Sequence, residues 1–297
     1  MTVAVTGAAG ASGRVVAHHL QACGFEVLGI DREKGAVSTI AHRVADLCDY
    51  DQAYRALEGC AAVVHFGADP HPDTEHRSAA ARFANNTVST FNVFNAAIAR
   101  GIPRVVWASS ETVYGYPFEG NRPPAIPLSD AATAPQTAYA MSKLVCEHLA
   151  KLLCQINPGL TMIGLRISNI LYAGTPEGGE QASNRLRDTY DRLSEYWQDP
   201  DARRFNLWNY IDVRDVAEAV RTSLSAPLVG AYAFPLTADD TIMDRPTREL
   251  VEAAFPGVPV SGDLPEHGAT VDTHSTRAVL GFTPHWSWRQ ILQEPGA

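Results

Sequence analysis

Two groups of residues in this chain are of types and spacings that do chemistry together. Tyr139-Ala-Met-Ser-Lys143 puts a phenol and an ammonium four residues apart, which is one face of a helix. A phenol titrates near ~10, too high for a base at neutral pH. A neighbouring ammonium favours the phenolate and lowers that value. Far upstream, Thr6-Gly7-Ala-Ala-Gly10-Ala-Ser-Gly13 is a glycine-rich turn of the kind that holds a dinucleotide. The pair suggests hydride transfer at a carbon that bears a hydroxyl. With ten Tyr and only three Lys (Lys34, Lys143 and Lys151) in the chain, a Tyr with Lys at +4 arises by chance in roughly one chain in ten. The argument therefore rests on the order, separation and company of the two motifs.

The elements that must position them follow from the apolar runs. Val3-Ala-Val5 reads as a strand entering the turn at Thr6-Gly7, and residues 11–23 as a helix. Phe25–Ile30, Ala61–His65, Arg104–Ala108 and Leu160–Leu165 read as buried strands. Residues 51–58, about 76–100 and about 137–156 read as helices. Short apolar runs alternating with helices predict an α/β fold, a doubly wound parallel sheet of Rossmann type. Beyond residue 172 the pattern breaks. Residues 185–198 and Val213–Ser225 look helical, Ala231–Phe234 looks like a strand, and short helices fall near 245–255 and 273–280. The expected division is a NAD-binding domain over 1–172 plus 208–235, and a small C-terminal substrate cap over 173–207 plus 236–297. The cap would lie over the carboxyl ends of the strands, where ligands bind in such sheets.

Bulk properties narrow the function classes. A net charge of −9 and a pI near 5.5 argue against a general nucleic-acid or anionic-membrane binder. No run approaches the ~18 apolar residues of a membrane span. The chain opens directly on a strand, without a basic stretch or cleavage site, so a cytoplasmic protein is expected. The five cysteines, Cys23, Cys48, Cys60, Cys146 and Cys154, contain no Cys-x-x-Cys pair and read as buried small hydrophobes in a reducing compartment. None of the ten histidines has a metal-binding spacing, so no metal is expected.

The cofactor turn can be read residue by residue. Gly7 permits the tight turn, Gly10 lets backbone amides approach a pyrophosphate, and Gly13 allows the helix to pack closely on the strand. Asp31 ends the second strand. A carboxylate there accepts hydrogen bonds from the adenosine ribose hydroxyls and repels a 2′-phosphate, which favours NAD. Arg14 and Arg32 leave NADP open, since either guanidinium can pair with that phosphate. Asp46-Leu47 would sit near the adenine.

At this point the chain resembles the extended short-chain dehydrogenase/reductase family, also called the NAD-dependent epimerase/dehydratase family. The resemblance covers nearly the whole length. It is carried by the glycine turn, Asp31, Asp46-Leu47, His65-Phe-Gly-Ala68, Asn86, Ser109-Ser-Glu-Thr-Val-Tyr-Gly115, Tyr139-Ala-Met-Ser-Lys143, Leu165-Arg-Ile-Ser-Asn169, Val213-Arg-Asp-Val-Ala217 and Leu280-Gly-Phe-Thr-Pro284. It implies that Ser110 hydrogen-bonds the reacting oxygen, that Tyr139 is the general acid/base, that Lys143 binds the nicotinamide ribose and lowers the Tyr139 pKa, and that Asn86 supports the site. It further implies cofactor contacts from Gly7, Ala9, Gly10, Ala11, Ser12, Gly13, Asp31, Arg32, Asp46, Leu47, Phe66, Gly67, Ala68, Asn86, Ser109, Tyr139 and Lys143. By the same resemblance, the helices near 76–100 and 137–156 would pair across a two-fold axis in a homodimer.

Departures from the family pattern discriminate among its reactions. Dehydratases resembling this chain carry Glu where Thr112 stands, and threonine does not abstract a carbon-bound proton. Nucleotide-sugar epimerases carry an Arg-Asp-Tyr/Phe run where Trp208-Asn209-Tyr210 stands here, so the Arg that pairs with a diphosphate is missing. Arg185, Arg187, Arg203 or Arg204 could take its place, although each reads more readily as a solvated helix charge, and Arg277 reads as a tail-helix surface residue. The loop Gly67–Asp73 and the run Gly115-Tyr-Pro117 are similar to the sugar- and uronate-dehydrogenase branch. The expected substrate-binding residues are Asp69, His71, Ser110, Glu111, Thr112, Asn169 and Trp208, with Trp208 either stacking on a sugar ring or filling the core. The resulting expectation is an NAD-dependent oxidoreductase acting on a secondary alcohol or ketone of a small carbohydrate-like molecule. A sugar or nucleotide-sugar epimerase with the same Ser110, Tyr139 and Lys143 is the alternative, and a non-catalytic dinucleotide sensor stands further off.

Overall fold

A computed structural model describes residues 1–33, 40–70, 78–171, 193–199 and 201–291. His71, Tyr172, Arg185, Arg187 and residues 185–192 of the helix expected over 185–198 lie outside the described residues.

Seven strands form one sheet in the order β3-β2-β1-β4-β5-β6-β9. They are β1 (Thr2–Thr6), β2 (Glu26–Asp31), β3 (Ala41–Val44), β4 (Ala62–His65), β5 (Arg104–Ser110), β6 (Thr161–Ile167) and β9 (Gly230–Leu236). Parallel pairing is recorded from β3 through β5, with Thr6 level with Ile30 on one side and with His65 on the other. The order reverses between β1 and β4. Such a switch point opens a crevice at the carboxyl ends of the strands, because the loops leaving the two strands diverge to opposite sides. The loop after β1 is the glycine turn, and the loop after β4 is residues 66–70.

The inner strands are apolar on both faces because helices cover both faces. Val3, Val5, Val63, Val64, Val105, Val106 and Ile163 are fully buried, and each such side chain contributes about 1.5–3 kcal/mol relative to exposure. Trp107 packs edge-on to Phe94 with centroids 5.7 Å apart. A Cβ at Gly164 would lie 2.8 Å from the Trp107 ring, so the indole dictates glycine on the neighbouring strand. β3 was not expected from the sequence. It is an edge strand reading Ala-His-Arg-Val, with three of its four residues exposed, and it carries no apolar run to mark it.

Helix α1 (Ala11–Ala22) follows the glycine turn, α2 is Tyr50–Ala56, α3 is Ala79–Ala99 and α4 is Ala138–Ile156. Side-chain caps start the last three: Asp49 accepts from the Gln52 amide, Ser78 from the Ala81 amide and Thr137 from the Ala140 amide. α3 and α4 pack against each other.

By internal contacts the chain divides into two compact units. The first is Met1–Ser110, Thr137–Leu165 and Ala217–Ala233; the second is Glu111–Gln136, Arg166–Val216 and Phe234–Ala297. Inside the second, β7 (Ile170–Leu171) pairs in parallel with β8 (Ile211–Asp212). Asp215 accepts the His285 and Trp286 amides, both at 2.9 Å, and pins the tail.

The cysteine expectation needs correction. Cys146 is buried, but Cys60 and Cys154 are only partly so, and Cys23 and Cys48 are exposed; all five are free thiols. Cys23, Cys48, Cys60 and Cys154 sit at helix ends or in loops, whose exposure depends on packing rather than on composition. Among the described residues no helix is long and apolar enough to cross a membrane, and no cluster of His, Cys, Asp or Glu could hold a metal ion.

Candidate active site

The first unit carries the glycine turn. Gly7 takes φ +70°, and a Cβ there would lie 2.7 Å from the Phe66 carbonyl carbon, so only glycine fits between β1 and the 66–70 loop. A Cβ on Gly13 would lie 2.1 Å from the Gly7 carbonyl oxygen. That contact sets how closely α1 approaches β1. Gly10 is the N-cap of α1, and the first turn, with Ala11, Ser12 and Gly13, holds no acidic residue. Its amides and the helix dipole therefore favour an anion there. Asp31 Oδ2 accepts the Ala9 amide at 2.9 Å and Oδ1 accepts the Arg32 amide at 2.7 Å, so the β2 carboxylate is tied to the turn itself. Arg14 donates to the Ala9 carbonyl at 3.0 Å. These features fit a dinucleotide with its pyrophosphate at the α1 N-terminus and its adenosine ribose at Asp31.

Two further walls are visible. Leu47 is buried, and its Cδ1 would lie 3.0 Å from a Cβ on Gly67; its carbonyl accepts from Asn92 at 3.0 Å. Asp46 is exposed and closes a turn by accepting the Cys48 amide at 2.9 Å. The 66–70 loop is clamped from α3. Asn86 is 1% exposed; its Oδ1 accepts the Asp69 amide at 2.8 Å while its Nδ2 donates to the Asp69 carbonyl at 3.1 Å. The Asp69 carboxylate lies 3.9 Å from Arg82 Nε in the first turn of α3. The Gly67 amide donates to Thr6 Oγ1 at 3.1 Å, and Ala68 completes this short stretch.

A buried chain missed in the sequence supports both loops. His65 Nδ1 lies 2.7 Å from Thr6 Oγ1, and Nε2 lies 3.1 Å from Thr90 Oγ1. Since Thr6 Oγ1 accepts from Gly67, its own proton goes to Nδ1, and Nε2–H then donates to Thr90. Burial, with the Lys143 charge nearby, pushes His65 down to about 3, so the ring is neutral. The only sequence signal was a histidine ending an apolar strand.

Tyr139 and Lys143 share one face of α4, with Nζ 5.5 Å from the Tyr139 ring centre. Lys143 is 4% exposed, and Nζ donates to the Ala108 carbonyl at 2.7 Å. One turn further along, Glu147 accepts from Ser109 Oγ at 2.6 Å. These two bonds fasten α4 to the end of β5, whose last residue is the buried Ser110. Burial lowers the Lys143 ammonium from its ordinary value to about 8. The arrangement offers a phenol, an ammonium and a hydroxyl at one end of the sheet, a set suited to moving a proton on and off a substrate oxygen.

The second unit holds the remaining expected residues. Glu111 and Thr112 lie on the 3-10 turn Glu111–Tyr114. Glu111 is 6% exposed and accepts from Asn206 Nδ2 at 3.1 Å; burial raises its carboxyl to about 8. Asn169 lies between β6 and β7 and accepts the Ile211 amide at 2.9 Å. Trp208 is fully buried, edge-on to Phe255 with centroids 6.3 Å apart, so in this structure its ring is a core element. Asn209 and Tyr210 are buried as well: Asn209 donates to Tyr116 at 3.0 Å, and Tyr210 donates to Asp240 at 2.6 Å. Arg203, expected as a solvated charge, has buried Nε and Nη2 atoms and packs near the Tyr196 and Phe205 rings. Arg203 also takes a left-handed backbone, and neither its burial nor its backbone is revealed by composition and spacing.

An L-arabinose 1-dehydrogenase (NAD(P)(+)) of Haloferax volcanii is 33% identical over 180 residues, covering 58% of this chain and 68% of that protein. A UDP-glucose 4-epimerase of Corynebacterium glutamicum is 24% identical over 100% of this chain and 95% of that protein. Among solved structures, a short-chain dehydrogenase/reductase superfamily protein from Agrobacterium tumefaciens with bound NAD superposes with a TM-score of 0.71, at 24% identity, over 99% of this chain and 95% of that one; at that identity the likeness speaks for the fold. The sequence profile of the NAD dependent epimerase/dehydratase family matches residues 3–232, the stretch that holds the glycine turn, Asp31, Ser110 and the Tyr139–Lys143 helix. The chain belongs to the NAD dependent epimerase/dehydratase family.

Proposed function

We propose that this protein is an NAD-dependent oxidoreductase that moves a hydride between NAD and a secondary alcohol or ketone of a carbohydrate-like substrate. The observation that carries the reading is the buried Lys143 on the Tyr139 face of α4, bonded to the strand that ends at Ser110. Tyr139 takes the hydroxyl proton as the carbonyl forms and returns it in the reverse direction. Ser110 holds the reacting oxygen by a hydrogen bond. Lys143 keeps a positive charge beside the phenol and meets the nicotinamide ribose. Asn86 holds the 66–70 loop in place. NAD, when bound, supplies the hydride acceptor. Asp31 favours NAD over NADP, because a 2′-phosphate would meet the carboxylate that the Ala9 and Arg32 amides already orient. Glu111, Thr112 and Asn169 are the proposed substrate contacts.

The epimerase reading uses the same Ser110, Tyr139 and Lys143, and is supported by the full-length similarity to a UDP-glucose 4-epimerase. The two readings differ in one observable. A dehydrogenase releases NADH, whereas an epimerase retains it. Absorbance at 340 nm with NAD, against a panel of sugars, uronic acids and UDP-sugars, separates them. Free NADH with an unactivated sugar supports the first; epimer formation without free NADH supports the second. Tyr139→Phe should abolish turnover while leaving NAD binding intact, and loss of binding would make the tyrosine structural.

The same helices support a reading of the quaternary state. Val88 and Phe91 on α3, and Met141, Val145, Leu152 and Ile156 on α4, are exposed large hydrophobic residues at helical spacings that keep each set on one face. A cytoplasmic homodimer that covers these stripes is the proposed form. Light scattering at micromolar concentration that gave only monomer would overturn it.

A further inference from the structure

We propose that Thr6, His65, Thr90 and Cys146 form one continuous chain of buried hydrogen bonds that sets where Lys143 stands relative to the cofactor turn, which makes His65 and Thr90 positioning residues of the active site. This role goes beyond the oxidoreductase reading and rests on it for the contact between Lys143 and the nicotinamide ribose.

The chain lies wholly within the first unit. It starts at the 66–70 loop, where the Gly67 amide donates to Thr6 Oγ1 at 3.1 Å. Thr6 ends β1 directly before Gly7. Its hydroxyl donates to His65 Nδ1 at 2.7 Å, and Nε2–H donates to Thr90 Oγ1 at 3.1 Å. Thr90 Oγ1 has then accepted one proton and turns its own towards α4, where it is hydrogen-bonded to the Cys146 thiol. Thr6, His65, Thr90 and Cys146 are each at most 3% exposed. Water does not compete for these bonds, and removing one link leaves its neighbour buried and unsatisfied. The neutral imidazole is the link that accepts on one side and donates on the other, and burial keeps it neutral.

The chain crosses the fold from β1 and β4 through α3 to α4. Two other bonds hold α4 to β5: Lys143 Nζ to the Ala108 carbonyl, and Ser109 Oγ to Glu147. Lys143 and Glu147 are four residues apart, so these two anchors lie along one line of the helix. Anchors on one line leave a helix free to roll about it. Cys146 stands about 60–100° around the helix from that line, and a tie there, on the side of α3, resists the roll. Tyr139 shares the Lys143 face, so a roll would swing the phenol and the ammonium together. The Lys143 charge is felt at both His65 and Cys146, which puts the ammonium beside the chain. At one end of the chain stands the turn that takes the pyrophosphate, and at the other the lysine that meets the nicotinamide ribose. The chain thereby fixes the separation of two contacts made by a single dinucleotide.

The test uses Thr90→Val, which keeps the shape and removes the hydroxyl, Thr90→Ser, which keeps the hydroxyl, and Cys146→Ala, which removes only the last link. AMP binding by calorimetry reports the adenosine half of the cofactor site. NAD turnover at 340 nm, with the sugar that the panel above identifies, reports the nicotinamide half. In Thr90→Val and Cys146→Ala, kcat is expected to fall about tenfold, while AMP affinity and the KM for NAD stay within about twofold of the wild type. Thr90→Ser should restore kcat. An unchanged kcat in Thr90→Val, an AMP affinity that falls in step with kcat, or Thr90→Ser behaving as Thr90→Val overturns the positioning role and leaves the oxidoreductase standing. If Thr90→Val does not fold, Cys146→Ala decides by the same readouts. If the wild type oxidises no sugar, the oxidoreductase reading fails and the nicotinamide fluorescence of bound NADH decides. A change in Thr90→Val that Thr90→Ser reverses, at constant AMP affinity, supports the chain, and identical spectra overturn it.

Discussion

Replacing Lys143 by methionine should uncouple stability from pH in the alkaline range. An ordinary lysine titrates near 10.5, but burial lowers Lys143 to about 8. Between those values the unfolded chain binds a proton that the folded chain has lost, so stability rises with pH through that window. Below pH 8 the folded protein carries the buried ammonium as a cost. With about 1.36 kcal/mol per unit, that cost is about 3 kcal/mol at neutral pH, and roughly 2.5 kcal/mol of it is relieved between pH 7 and pH 10. Lys143→Met removes the charge and with it the window, although it also leaves the Ala108 carbonyl without its donor, a loss of about 1–3 kcal/mol. The absolute stability of the variant at pH 7 thus reflects two opposed effects. The difference in slope isolates Lys143 more closely, because the lost Ala108 bond does not titrate; the neighbour whose alkaline titration also changes is Cys146, whose thiol the Lys143 charge favours in its ionised form. Urea unfolding of the two proteins at pH 7, 8, 9 and 10, without cofactor, measures it. The wild type should gain roughly 2.5 kcal/mol relative to the variant across that range. Parallel curves would mean that the ammonium is not desolvated as the structure has it. In the same preparation, turnover should be lost.

Three other perturbations probe the cofactor half of the fold. His65 stays neutral down to about 3, well below its ordinary range, so the folded state fails to take up a proton that the unfolded state binds; stability should fall by several kcal/mol as pH drops from about 6.5 towards 3. His65→Gln should flatten that acid limb in urea titrations, and an unchanged limb would place its cause elsewhere. Gly13→Ala puts a methyl 2.1 Å from the Gly7 oxygen; separation of α1 from β1 should lower the melting temperature and weaken NAD binding at least tenfold, read by calorimetry, and near-normal binding would mean that the turn can relax. Asp31→Ser removes the carboxylate that a 2′-phosphate would meet, and the NADP-to-NAD ratio of affinities should rise at least tenfold. An unchanged ratio would place cofactor choice at Arg14 or Arg32.

The features legible in the sequence are those set by local spacing. A glycine that must turn the chain, an acidic residue closing the next strand, and a Tyr and Lys four apart on a helix are determined by backbone geometry within a few residues. Those elements appear in the fold much as read, and the strand–helix alternation sufficed to anticipate the sheet. Edge strand β3 escaped because an exposed strand needs no apolar run.

What only the tertiary structure decided is the surroundings of each charged group. The bond from Lys143 to Ala108 and the lock between Asn86 and Asp69 join residues far apart in sequence. Nothing in the sequence marked Glu111 as buried, and Arg203 read as a solvated helix charge. Packing desolvates both side chains. Desolvation depends on which distant segments cover a group, so the identity of a titratable residue is local information, whereas its charge state at neutral pH is a property of the folded molecule.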